Sequence, residues 1–225
     1  MSPATMATRA LLVGAPLAFA ALLLAHPTGE GSFSAGVAAN TTPWLVVHVG
    51  AAVLFPLMAY VVWLMLRGVG GRAARTARVA LPVFAVSYGV WEALMGIATG
   101  IVAQEGNAAT GAARTALADT VERIATHPIA GELGVFNSVG SLAWVVAVSA
   151  AIVALHGAGV RRGALVLLGI GAMMVMHVPP FGPVALVCLS LAGLLIERER
   201  AARQSPARDA VMAPGARRWG RATSM

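Results

Sequence analysis

The chain has 225 residues, of which 58% are hydrophobic and 11% charged, with a mean hydropathy of +0.79. A soluble domain carries roughly 25% charged residues, so this chain is too apolar to clothe a water-facing surface. Its lone cysteine, Cys188, excludes an internal disulfide and any multi-cysteine metal site, and its net charge of +7 rests on 16 basic residues that are all arginine.

A membrane helix needs about 20 mostly apolar residues to cross roughly 30 Å of hydrocarbon. Six runs reach or approach that length, over 10–25, 44–66, 79–103, 133–155, 163–178 and 181–196. The fold class expected is an all-α polytopic transmembrane helix bundle. The first run follows Arg9. Its Ala18-Phe19-Ala20 resembles a signal-peptidase site, but the apolar stretch continues to Ala25, so a retained span is expected and cleavage of 1–20 is the alternative. The segment from His26 to Pro43 is rich in Gly, Ser and Thr and reads as an irregular loop.

The second run carries His48 about one turn in, and Pro56, which should bend the helix. In the third, Tyr88, Glu92, Met95, Gly96 and Thr99 share one helical face, and Gly96 with Gly100 forms a GxxxG that permits close helix approach. Beyond it, Ala113, Leu117, Val121 and Ile124 recur with helical period. A short amphipathic helix over about 110–126 is predicted, stopped by Pro128 and lying on the outer surface of the bundle. The fourth run begins with Asn137 and Ser141 near its outer end. The fifth and sixth are joined by His177-Val178-Pro179-Pro180-Phe181-Gly182-Pro183, which forces a tight reversal at or below the outer interface. Residues 197–225 are polar and basic and are expected to form a disordered cytoplasmic tail.

Arginine placement orients the set. With the N-terminus inside, 14 of the 16 arginines fall on inner segments, and only Arg114 and Arg123 lie outside. That is the positive-inside pattern, so both termini are expected in the cytoplasm of a bacterial plasma membrane. The basic balance is thus a topology signal. Nucleic acid is not an expected partner, whereas the inner loops and tail suit anionic lipid headgroups. A homo-oligomer or a membrane partner stays open.

Polar groups inside the spans supply the functional candidates. Glu92 lies about 11 residues from the outer end of its run, hence roughly 16 Å deep, with no arginine inside any span to pair with it. Such a carboxylate must face the bundle interior. His48 and His177 are expected in one layer near the outer leaflet, with Tyr88, Asn137, Ser141, His26 and His127 as secondary candidates. Imidazole ligates haem iron, copper and zinc, so a haem or transition-metal site built from His48, His177 and Glu92 is the leading expectation. A proton-coupled transporter using Glu92 and a structural or assembly protein are the alternatives. No HExxH, CxxCH or phosphate-loop motif occurs, and no catalytic residue is assigned.

Ala25-His26-Pro27, the run Trp44 to His48 leading to Phe55-Pro56-Leu57, Trp91-Glu92 before Gly96 to Gly100, and the His177 to Pro180 turn also resemble the multi-span membrane proteins common in GC-rich actinobacteria. The resemblance implies a membrane helix bundle and carries no activity with it.

Overall fold

The computed structural model describes residues 3–27 and 31–212, with side chains described for 6–27 and 31–203. Among the described residues it is all-helical: α1 (Pro3–Leu23), α2 (Phe33–Ala39), α3 (Thr41–Met65), α4 (Arg72–Trp91), a π-helical segment (Glu92–Ala98), α5 (Thr99–Ala108), α6 (Gly111–Ala125), α7 (Val135–Gly157), α8 (Arg162–Gly171), a 3-10 turn (Ala172–Val175) and α9 (Phe181–Met212). Among the described residues, five helices are long and apolar enough to cross a membrane: Met6–Leu23, Thr41–Met65, the continuous Arg72–Ala108, Val135–Gly157 and Phe181–Arg203. Their outward faces carry exposed valines and leucines, among them Val53, Val79, Val86, Leu142 and Val153. Apolar side chains exposed on that scale are a surface for lipid, not water.

Packing between the helices relies on small residues, as expected where apolar side chains gain little by leaving lipid for protein. Along α7, Gly140 lies under the Tyr88 ring of α4, and Ala143, Ala147 and Ala151 are buried. A column of rings fills the middle of the bundle. Phe19 meets Phe55 edge-on at 4.8 Å, Phe55 meets Tyr88 at 4.6 Å, and Phe84 meets Trp144 at 4.7 Å.

One end of the bundle is held by arginine. Arg67 donates to Thr8 Oγ1 and to Glu197 Oε1, and Arg200 donates to Glu197 Oε1 and to the carbonyls of Leu64, Met65 and Arg67. Arg78 caps the Leu66 and Val69 carbonyls, and Arg203 those of Ala158 and Gly159. Cations at helix C-termini satisfy orphan carbonyls and oppose the helix dipole. These bonds gather the start of α1, the ends of α3 and α7, and the later turns of α9 at one end of the bundle. His26, His48 and His177 lie together at the other.

Several boundaries differ from the sequence expectations, each for a physical reason. The fifth run, 163–178, is not a full helix. α8 spans 10 residues and the 3-10 turn adds four. The Pro179-Pro180 pair disfavours helix at the residue before it, so Val178 cannot extend the run. The loop from His26 to Pro43 contains α2, started by Ser32, whose Oγ accepts the Ala35 amide. The third helix runs on from Arg72 to Ala108 and contains the π segment, which hydrophobic periodicity cannot show. α9 continues past Ile196 to Met212, so the first half of the tail is helical; 213–225 lie outside the described residues. The amphipathic helix is found as α6, with Val121 buried and Leu117 and Ile124 partly so.

Candidate functional site

The site is assembled by three elements that each present one imidazole. His26 follows the turn closing α1, where the amides of Ala25 and His26 bond back to the Leu22 and Leu23 carbonyls. His48 is on the buried face of α3, one turn after Trp44. His177 stands in the reversal between α8 and α9. The ring centroids of His26 and His48 are 5.3 Å apart, those of His26 and His177 5.3 Å, and those of His48 and His177 6.3 Å. All three line one cavity of about 350 Å³, together with Trp44, Trp91 and Met95. Gly31, Ser32, Phe33, Gly36 and the exposed Glu132 also line it.

Glu92 sits behind His48. It is fully buried, and its Oε2 lies 2.6 Å from His48 Nδ1. The approach is permitted by Gly96, since a Cβ there would stand 2.5 Å from the His48 Cγ and Nδ1. Four residues on, a Cβ at Gly100 would stand 2.6 Å from Leu45 Cδ2 and 2.8 Å from Trp44 Cδ1. The GxxxG is therefore the surface on which α3 lies. The π segment begins at Glu92, and π turns recur at functional sites because the extra residue re-aims the side chains around it. Glu92, Met95, Gly96 and Thr99 are all buried here.

Two of the imidazoles have one nitrogen anchored. His26 Nδ1 donates to the Pro27 carbonyl at 2.9 Å, and His48 Nδ1 pairs with Glu92. With Nδ1 donating, the opposite Nε2 carries a lone pair. The Nε2 atoms of His26 and His48 are buried and have no hydrogen-bond partner. The neighbouring indoles do not serve them, because Trp44 Nε1 donates to the Gly96 carbonyl and Trp91 Nε1 to the Gly131 carbonyl. Burial pushes His26 down to about 4, His48 beside it adds to the shift, and the Pro27 carbonyl opposes it. His26 is therefore neutral at physiological pH, the form that ligates metals.

A second polar chain runs along α4 and α7. Tyr88 Oη lies 3.0 Å from Ser141 Oγ, Ser141 donates to Asn137 Oδ1 at 3.2 Å, and Asn137 Nδ2 donates to the Glu132 carbonyl. Tyr88, Asn137 and Ser141 are thus joined to one another and line no part of the histidine cavity. His127 does not join the cluster. Its Nδ1 accepts the amides of Ile129 and Ala130 in the exposed turn at Pro128. The roles of Trp44, Trp91 and Glu132 at the cavity were not identified from sequence. Trp44 had a usable signal, since it is four residues from His48 and so on the same face.

Among the described residues, no group of three or more His, Cys, Asp or Glu side chains is arranged so that it could hold a metal ion. The spacing of the three imidazole centroids, taken alone, is that of ligands around one ion. The point equidistant from the three centroids is about 3.3 Å from each, the circumradius of their triangle. A metal–nitrogen bond of about 2.0–2.1 Å puts an ion about 3.2 Å from an imidazole centroid. A haem iron midway between His48 and His177 would instead stand about 4.3 Å from the His26 centroid, the height of the same triangle. That lies inside the area a porphyrin covers.

Comparisons with protein-family models, with curated proteins and with solved structures returned no match to this chain.

Proposed function

We propose that this is an integral membrane protein whose histidine end binds a single transition-metal ion, with His26, His48 and His177 as ligands and Glu92 orienting His48. The observation that carries the reading is the pair of buried Nε2 lone pairs on His26 and His48, which have no donor, in a cavity whose indole donors are all engaged. Buried acceptors of that kind are paired in most proteins, and a Lewis-acidic ion is the partner that suits them. A carbonyl or carboxylate on the far nitrogen is the usual support for a ligating histidine, and His26 and His48 each have one. His26 occupies the plane a porphyrin would need, which favours an ion over haem. The Glu92 bond to His48 supports an orienting role for that acid over independent proton-coupled transport.

The topology proposed with it has six passes, the fifth being the short α8, with the arginine end in the cytoplasm and the histidine end outside. The concentration of arginine at one end supports this orientation, as does the gathering of α1, α3, α7 and α9 at that end.

The test is elemental analysis and the visible spectrum of the purified protein in mild detergent. Near one metal ion per chain is expected, falling in His48→Ala and His177→Ala variants that keep their helical content. A folded protein that takes up no metal on reconstitution refutes the reading, and a Soret band would replace the ion by haem.

A further inference from the structure

We infer that the groove between α3 and α4 at the arginine end of the bundle binds an anionic glycerophospholipid, with its phosphate on Arg78 and an acyl chain in the groove. This site is independent of the histidine cavity and of which leaflet it faces. The groove has a volume of about 180 Å³ and is walled by Ala59, Tyr60, Trp63, Leu81 and Pro82. It opens onto the lipid-facing surface, where Val79 and Val83 are exposed on the same stretch of α4. Its surroundings are therefore hydrocarbon, and an acyl chain is the apolar partner at hand. Trp63 and Tyr60 are 42% and 48% exposed, and such rings gather at the headgroup level of a bilayer.

Arg78 supplies the charge. Its guanidinium carbon lies 5.9 Å from the Trp63 ring centroid, at the edge of the groove. Nη2 donates to the Leu66 and Val69 carbonyls at 2.7 and 2.8 Å, which fixes the group in place. Among the described residues its Nε and Nη1 have no partner, so donors stay free for a phosphate. Arg72 and Arg75 precede it at intervals of three, and are therefore neighbours along the helix. The first turn of α4 holds no acidic residue, and the helix dipole there adds positive charge. The carboxylates at this end, Glu197 and Glu199, are paired with Arg67, Arg200 and Arg203. Three arginines thus face the lipid boundary without a counter-charge, and a zwitterionic headgroup would set its own cation against them. The Tyr60 hydroxyl, about one turn deeper than Trp63, also has no partner among the described residues. An unbonded hydroxyl facing hydrocarbon is costly, and a glycerol ester carbonyl below the phosphate would accept it.

The experiment reconstitutes the full-length protein in phosphatidylcholine vesicles that contain, as a minor component, phosphatidylglycerol or phosphatidylcholine with brominated acyl chains, which quench nearby indoles. Subtracting the signal of Trp63→Phe isolates Trp63. Brominated phosphatidylglycerol should quench it at a mole fraction at least about tenfold lower than brominated phosphatidylcholine. Arg78→Gln should abolish that preference. Arg72→Gln/Arg75→Gln, which alters exposed side chains without partners among the described residues, should fold normally and lower it at least about fivefold. Arg114→Gln, on α6, should leave it unchanged. Equal quenching by the two lipids would mean an unselective annulus, and shielding of Trp63 from both would mean that a second copy of the chain covers the groove. Loss of the preference on adding inorganic phosphate at matched ionic strength would make a free anion the ligand. Each of these results, or a preference that survives in the folded arginine variants, overturns the phospholipid site.

Discussion

Gly96 offers the sharpest perturbation of the site. In Gly96→Ala the new Cβ would sit 2.5 Å from His48 Cγ and Nδ1 and 2.6 Å from His48 Cβ. Carbon atoms in contact prefer about 3.5–4.0 Å, so a displacement of about 1 Å is required. The His48 Cβ is fixed to the α3 backbone, so a side-chain rotation cannot absorb it and α3 itself must shift. The His48–Glu92 bond, 2.6 Å in the native protein, would open to about 3.6 Å, beyond hydrogen-bond range. Overpacking costs about 1–3 kcal/mol, against a gain of up to about 1 kcal/mol from replacing a helical glycine by alanine. Net destabilisation is therefore modest. The larger effect falls on the site, where losing the orienting carboxylate should weaken metal binding about 10–100-fold. Gly100→Ala is the matched control, because it crowds Leu45 and Trp44 and not His48. The assay pairs metal affinity with thermal aggregation in detergent for both variants. Equal loss of affinity in the two, or none in Gly96→Ala, would refute the idea that this glycine places the imidazole on the carboxylate.

Further outcomes follow from the same geometry. Glu92→Gln keeps the shape of the site and should weaken metal binding about 10–100-fold at unchanged helical content; unchanged affinity would mean that the carboxylate does not orient His48. His127→Ala should leave metal stoichiometry intact, since its ring serves the exposed turn after α6; metal loss there would place His127 in the site. Arg200→Ala removes charge-assisted bonds to Glu197 and to the Leu64 and Arg67 carbonyls. It should cost about 1.5–3 kcal/mol, lowering the aggregation temperature without changing metal content. A cysteine introduced at Glu132 in a Cys188→Ser background should react with an impermeant maleimide added outside intact cells; labelling only after permeabilisation would invert the proposed orientation.

The sequence reveals those parts of the structure that depend on hydropathy. The long apolar runs became helices, and α6 followed from its periodic Val121 and Ile124. His48 and Glu92 stood out as polar groups in apolar surroundings, and they meet at 2.6 Å. What escaped depends on tertiary contact. The π segment has no pattern of its own, because an inserted residue leaves composition unchanged. His26 joins the cluster because its turn folds inward over His48, which nothing in Ala25-His26-Pro27 specifies. Asn137 and Ser141 were placed at a suitable height, but height does not fix azimuth, and they face Tyr88 instead of the imidazoles.

The short α8 and its reversal have an electrical consequence. His48 is seven residues into α3, about 10 Å along a core of about 30 Å. In the proposed orientation, water in the histidine cavity would bring the outside potential down to the imidazoles, and the transmembrane voltage would fall mainly across the aromatic column between them and the arginines. A full crossing is worth about 2.3 kcal/mol per charge at 100 mV, so each charge on an ion that stopped at this layer would feel at most about a third of that, under about 0.8 kcal/mol. In the proposed orientation the site would load almost equally well in energised and de-energised cells, while any onward passage towards the cytoplasm would draw on the rest of the membrane voltage.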